Sequence, residues 1–370
     1  MADHNWRFIV DNNSYADFSV SVSPAIEKSV IKGEAPPTVF LNVFNSDSIT
    51  IGVNEDPEQV LDVHFCSNQG IDFRRRPNTG GAVFAGKGSA FLVYYLPTNH
   101  PEVPETTAEA FPKILIGMAE VLRKRYNFPA QYRPLNDIQI NGRKLIPTSL
   151  KIEDGVMTFR IVINVTPIDT ERAGKIMPMP PEKVRDKKLK TMTTRFTWLE
   201  REAGKKIDTG ELIKMVHDIT THIFGETMLN PGSVQQTEQV YAQEFRKIYE
   251  SDEWLYGKSE GIRLKNLLNQ DDFIGRGRAK ALGGLIWVTL VIRQGIVIHS
   301  IINGDWHPRP IDSVSWLEEA LAGEEAKIKP LKKRVKNFLQ REDVEFAGVT
   351  TGDLMEAIGN ALSNQSVFKI

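Results

Sequence analysis

Between residues 107 and 165 the chain reads as one long helix followed by closely spaced strands, and this block limits the fold more than anything else in the sequence. Phe111, Leu115, Met118, Leu122 and Tyr126 recur at helical spacing, with Arg123, Lys124 and Arg125 near the C-terminal end. Strands are expected over 137–140, 144–152 and 156–165, the first two parted by Asn141-Gly142, a strong tight-turn pair. Upstream, 39–44 and 48–52 are short, β-branched and aromatic and are separated by Asn45-Ser46-Asp47, which predicts a hairpin. Further strands are expected through 71–75 and over 90–96, where Pro97 stops the run. Strands interleaved with helices predict an α+β fold of mixed or antiparallel sheets with flanking helices.

A chain of 370 residues exceeds one typical domain, so two cores are expected. Helical periodicity returns over 209–224, and polar turn residues follow from Asn230. The expected division is a first domain over 1–235, a linker over 236–248 and a small α+β second domain over 249–370. The second domain carries a hairpin, 285–292 and 296–302 around Arg293-Gln294-Gly295, then helices over 313–321 and 330–339. Forty-six Lys and Arg against 47 Asp and Glu leave a net charge of -1, so no global field draws the chain to nucleic acid or a membrane surface. No apolar run approaches the roughly 20 residues of a bilayer span, and Cys66, the one cysteine, has no partner for an internal disulfide. A soluble cytoplasmic protein is the expectation.

The most informative chemistry lies in Arg74-Arg75-Arg76-Pro77-Asn78-Thr79-Gly80-Gly81-Ala82-Val83-Phe84. Glycines let the backbone approach a ligand and expose its N–H groups, while arginines supply forked donors for phosphate or carboxylate. A plain hairpin with solvated arginines fits the same residues equally well.

This stretch resembles the Arg-Arg-x-Ser-Gly-Gly-Gly-Ala-Val signature of lipoate–protein ligases, with Thr79 at a position usually held by glycine. Ser48-Ile49-Thr50-Ile51-Gly52, Asn136-Asp137, Asn141-Gly142-Arg143-Lys144, Ile161-Val162-Ile163-Asn164 and the segment 186–199 resemble further motifs of that family, in the same order. The last unit, with Trp254-Leu255-Tyr256-Gly257, resembles its C-terminal accessory domain.

The resemblance implies a two-step reaction. ATP and a carboxylic acid, lipoate or a related medium-chain acid, give an acyl-adenylate, and a lysine of a lipoyl-type carrier domain then takes the acyl group. Lys144 matches the family's essential lysine, which contacts the α-phosphate and the acyl carbonyl. Asp137 would hold Mg²⁺ or the nucleotide and Asn136 would bond adenine or ribose. Arg75 and Arg76 would face phosphates, and Thr79, Gly80, Gly81, Ala82, Val83 and Phe84 would line the nucleotide and acyl site.

Two departures bear on the substrate: Ala85 follows the turn where the family has histidine nearby, and Leu145-Ile146-Pro147-Thr148-Ser149 replaces a small Ser-Gly-Ser run. An ATP-independent acyltransferase of the same fold and a non-catalytic binding protein are the alternatives. Gly275-Arg276-Gly277-Arg278 echoes a biotin-ligase motif but is expected as a basic turn, and Cys66 as a small buried hydrophobe. The basic run 183–190 suits either a solvated face or a docking site for an acidic carrier.

Overall fold

A computed structural model describes residues 5–14, 16–178 and 195–368. The chain forms two compact units. The first comprises Met1–Thr50, Leu61–Asn78 and Val83–Glu250, and the second Ile51–Val60, Thr79–Ala82 and Ser251–Ile370. Residues 236–248, expected as a linker, lie instead in a helix, Gln236–Tyr249, within the first unit. Its apolar side packs on the helix Val22–Ile31, and the ion pair of Arg246 with Asp17 adds a polar tie. Polar composition there marks the outer face of a helix rather than a flexible tether.

The first unit is built on β1 (Asn5–Ser14), β2 (Thr38–Phe44), β3 (Ser48–Ile51), β4 (Arg74–Arg75), β5 (Val83–Ala85), β6 (Ala90–Pro97), β7 (Ala130–Arg133), β8 (Asp137–Ile140), β9 (Arg143–Glu153), β10 (Val156–Ile163) and β11 (Met228–Gly232). Eight of these form one sheet in the order β11-β1-β2-β6-β10-β9-β8-β7. The β11-β1-β2 edge is parallel and the rest antiparallel, which is a mixed sheet as expected. The Asn141-Gly142 turn closes β8 onto β9 with φ of 48° and 77°, the left-handed pair such a hairpin requires.

One sheet face is covered by the helices Thr107–Tyr126 and Thr209–Phe224. Thr106 caps the first, whose Phe111, Leu115, Met118 and Leu122 are buried, and Arg125 ties it to Glu211 and Asp218 of the second. The other face packs Phe18, Ile26 and Val30 against Phe40, Phe91, Val93 and Tyr95. The expected hairpin of 39–44 with 48–52 does not form. β2 joins the large sheet, while β3 pairs with β5 in a separate sheet ordered β4-β3-β5. Alternating hydrophobicity locates strands but leaves their partners open.

The second unit holds β12 (Phe273–Lys280), β13 (Leu285–Arg293), β14 (Ile296–Gly304), β15 (His307–Arg309), β16 (Glu345–Ala347) and β17 (Gln365–Val367). β14-β13-β12-β17 form an antiparallel sheet, on which the helices Ser313–Leu321, Ile328–Leu339 and Thr351–Ser363 build a core. Gly275-Arg276-Gly277-Arg278 is not a turn but the middle of β12. A Cβ at Gly277 would lie 2.0 Å from the Ala357 carbonyl oxygen, so the glycines admit the helix Thr351–Ser363 close to the strand. No helix among the described residues is long and apolar enough to cross a membrane.

Candidate active site

Lys144 and Asp137 come together through an irregularity in the β8–β9 hairpin. Asp137 pairs with Pro147 and Ile138 with Ile146, but Gln139 pairs with Lys144, leaving Leu145 as an extra residue on β9. Leu145 and Ile146 both enter the core, and Lys144 is re-aimed as a bulge does. Its Nζ lies 2.8 Å from Asp137 Oδ1, with both side chains partly shielded from solvent.

A third segment reaches the same place. Phe196 bridges Lys144 in the parallel sense, and the Thr197 N–H donates to the Lys144 carbonyl at 3.0 Å. Arg195 thereby comes under the influence of Asp137 and Arg133. Burial holds its guanidinium below the ordinary arginine value, Asp137 opposes that shift and Arg133 adds to it. Sequence reading passed over Arg195 and Arg133. The one available signal for Arg195 was its place at the end of the 186–199 motif, where lysines dominated the pattern.

Asn136 clamps β9: its Nδ2 donates to the Thr148 carbonyl at 2.7 Å, while its own carbonyl accepts from the Thr148 Oγ1 at 2.8 Å. This fixes β9 beside the residue that precedes Asp137. Residues 179–194, which hold the basic run 183–190, lie outside the described residues.

The arginine–glycine stretch is divided. Arg75 and Arg76 are buried in the first unit, and Arg76 Nη1 donates to Thr50 Oγ1 at 3.3 Å, so neither lies at a solvated mouth. Arg74 is the more exposed of the three, near Asp72 and Glu250. Val83 and Phe84 pair with Thr50 and Ile49 in the first unit, and Ala85 is buried in the core.

Thr79, Gly80, Gly81 and Ala82 belong to the second unit. There the Thr79 Oγ1 lies 2.8 Å from His307 Nδ1, and the Gly80 N–H donates to the Trp306 carbonyl. Gly80 has φ of 86° and requires glycine. A Cβ on Gly81 would meet Asp305 Cβ at 3.1 Å. Lys144, Asp137, Asn136 and Arg195 therefore form one cluster in the first unit, while the glycine turn is held by residues of the second.

Cys66 sits in the short helix Val63–Asn68 and is buried, and burial pushes its thiol up from the ordinary value. Among the described residues no three His, Cys, Asp or Glu side chains gather as a metal cage.

The chain belongs to the lipoyl protein ligase A/B catalytic domain family, whose model matches residues 17–220. Octanoyltransferase LipM of Kyrpidia tusciae is 24% identical over 278 residues, covering 68% of this chain and 99% of the relative. Lipoate–protein ligase 1 of Staphylococcus aureus is 21% identical over 318 residues, 85% of this chain and 89% of the relative. In structure, P. falciparum LipL1 in complex with lipoate is similar over 97% of this chain and 99% of its own, with TM-score 0.69 at 15% identity. The chain is thus an enzyme of the lipoate ligase and octanoyltransferase group.

Proposed function

We propose that the chain is an ATP-dependent ligase that activates lipoate or a related medium-chain acid as acyl-AMP and passes the acyl group to a lysine of a lipoyl-type carrier domain. The observation that carries this reading is the Lys144–Asp137 pair, with the segment that carries Arg195 bridged to Lys144 through Phe196. In the first half-reaction a carboxylate oxygen attacks the α-phosphorus of ATP and pyrophosphate leaves. In the second, the carrier amine attacks the acyl carbonyl, AMP departs with the C–O electron pair, and the amine proton goes to solvent.

Both steps build negative charge on oxygen, so a fixed ammonium is the group that lowers the barrier. Asp137 holds Lys144 in place, and Arg195 adds a second cation. The donor set fits Mg²⁺ to the extent that nucleotide-bound Mg²⁺ takes one or two carboxylates together with phosphate and water oxygens, and Asp137 is the carboxylate available in the cluster. When bound, Mg²⁺ would neutralise phosphate charge.

The likeness to octanoyltransferases favours a second reading, transfer from one carrier to another without ATP. Two observations weigh against it. A thiol acyl-enzyme needs an accessible thiolate, whereas Cys66 is buried with its thiol shifted away from ionisation. The octanoyltransferase likeness spans 68% of this chain and the ligase likeness 85%. Incubation with ATP, Mg²⁺ and lipoate or octanoate, followed by pyrophosphate measurement, tests the proposal. Release that depends on the acid supports it, and acyl transfer from octanoyl-carrier in the absence of ATP, with no pyrophosphate under any condition, overturns it.

A further inference from the structure

Register places a further cation, Arg160, on the same sheet face as the Lys144–Asp137 pair. Asp137 pairs with Pro147, Pro147 and Ser149 share a face of β9, and Ser149 pairs with Arg160 on β10. Arg160 pairs in turn with Val93, and Val93 with Phe40. Two strand spacings and two residue rises put the Cα atoms of Asp137 and Arg160 ~12 Å apart.

The surroundings of Arg160 are unusual for a core. Its side chain is 1% exposed. Nη1 donates to Asn78 Oδ1 and Nη2 to Ser19 Oγ at 2.8 Å, both neutral partners, the guanidinium lies 5.1 Å from the centre of the Phe91 ring, and the buried Glu27 carboxylate that also acts on it is already ion-paired with Lys151. Among the described residues no partner meets Arg160 Nε, Asn78 Nδ2, Thr158 Oγ1 or either amide atom of Asn42. Asn42 is fully buried one register row away, opposite Phe91. Phe40, Phe91, Val93 and Val162 supply apolar walls on this face.

A dry aliphatic core has no use for a guanidinium and two carboxamides, because each unpaired buried polar atom costs stability. A set rich in N–H donors and carrying a positive charge matches one class of ligand, an anion. Asn78 immediately precedes the Thr79-Gly80-Gly81 turn, which ties the cluster to the motif that carries the family likeness.

We propose that Arg160, with Asn42 and Asn78, is a specificity determinant that receives a second carboxylate at the far end of the acyl chain, so that the preferred acid is a medium-chain α,ω-dicarboxylate rather than a simple fatty acid. One carboxylate lies at Lys144 and is activated; the other pairs with Arg160. The identity of the activated end rests on the ligase reading, whereas the preference for a dianionic acid does not.

The test is calorimetric binding of octanoate and octanedioate to the full chain without ATP, for the parent, Arg160→Met and Asn42→Leu. The parent is expected to bind octanedioate at least tenfold more tightly than octanoate. Arg160→Met is expected to remove or reverse that ratio, and Asn42→Leu to reduce it severalfold. Equal affinities, tighter octanoate binding or no octanedioate binding by the parent overturn the proposal. So does a folded Arg160→Met protein whose affinities for both acids fall by the same factor. If Arg160→Met fails to fold, an unchanged ratio in Asn42→Leu overturns it instead. Pyrophosphate release measured beside binding separates the two readings: a dicarboxylate preference lost in Arg160→Met, with no release from either acid, upholds the binding site and sinks the ligase function.

Discussion

Lys144 Nζ and Asp137 Oδ1 stand 2.8 Å apart on adjacent strands, brought there by one extra residue, Leu145, in the hairpin that joins them. The bulge is what makes the pair, because regular pairing would set Leu145 opposite Gln139 and turn Lys144 toward the other face. The contact is partly shielded, so its contribution to stability is modest and its value lies in orientation.

Lys144→Ala is therefore expected to keep the fold and to lower acyl-adenylate formation by about 100-fold or more, the scale for losing one preorganised charge-stabilising donor. Pyrophosphate release gives the rate, and a thermal melt gives the control. A rate equal to the parent's would remove Lys144 from the chemistry.

Cys66→Ala is expected to leave both half-reactions within about twofold of the parent, since the buried thiol has no part in an adenylate route, and to cost ~1 kcal/mol of stability for the small cavity left behind. Abolished carrier acylation in a folded Cys66→Ala protein would instead mark a thiol acyl-enzyme.

In the second unit, two glycine substitutions should part ways. A Cβ at Gly277 meets main-chain atoms of the helix Thr351–Ser363 at 2.0 Å and 2.3 Å, contacts that backbone cannot relieve by rotating a side chain. Gly277→Ala is expected to destabilise by about 3 kcal/mol or more. Gly261 meets nothing within 4 Å and sits in the helix Glu260–Leu264, so Gly261→Ala is expected to be neutral or to stabilise by up to ~1 kcal/mol. Urea midpoints of the two variants decide the matter; a similar shift in both would contradict the close packing of strand and helix.

The basic run 183–190 supports a prediction from charge alone. Lys187→Glu with Lys188→Glu is expected to slow acyl transfer to an acidic carrier domain, with the deficit shrinking as salt rises, because exposed charges are screened beyond about 8 Å at physiological ionic strength. Adenylate formation without carrier is expected to change far less. Equal, salt-independent losses in both half-reactions would assign these lysines to the nucleotide site or the fold.

Local patterns were legible because they depend on neighbours in sequence. The helix Thr107–Tyr126 follows from its apolar spacing, and the β8–β9 turn from the left-handed dihedrals that Asn141 and Gly142 accept. Lys144 and Asp137 could be singled out because their motif spacing resembles that of a family.

Tertiary structure decided the rest through contacts between distant segments. Periodicity located β2 and β3 but not their separate sheets, and composition made a linker of residues that fold as a helix against Val22–Ile31. The arrival of Arg195 beside Asp137 depends on a bridge between Phe196 and Lys144, more than fifty residues apart in the chain. Arg160 shows the limit most plainly. In sequence it is one cation in a β-branched run; only the register β8-β9-β10-β6-β2 buries it among phenylalanines on the face it shares with Asp137, because strand pairing, unlike helix periodicity, is fixed by residues far away along the chain.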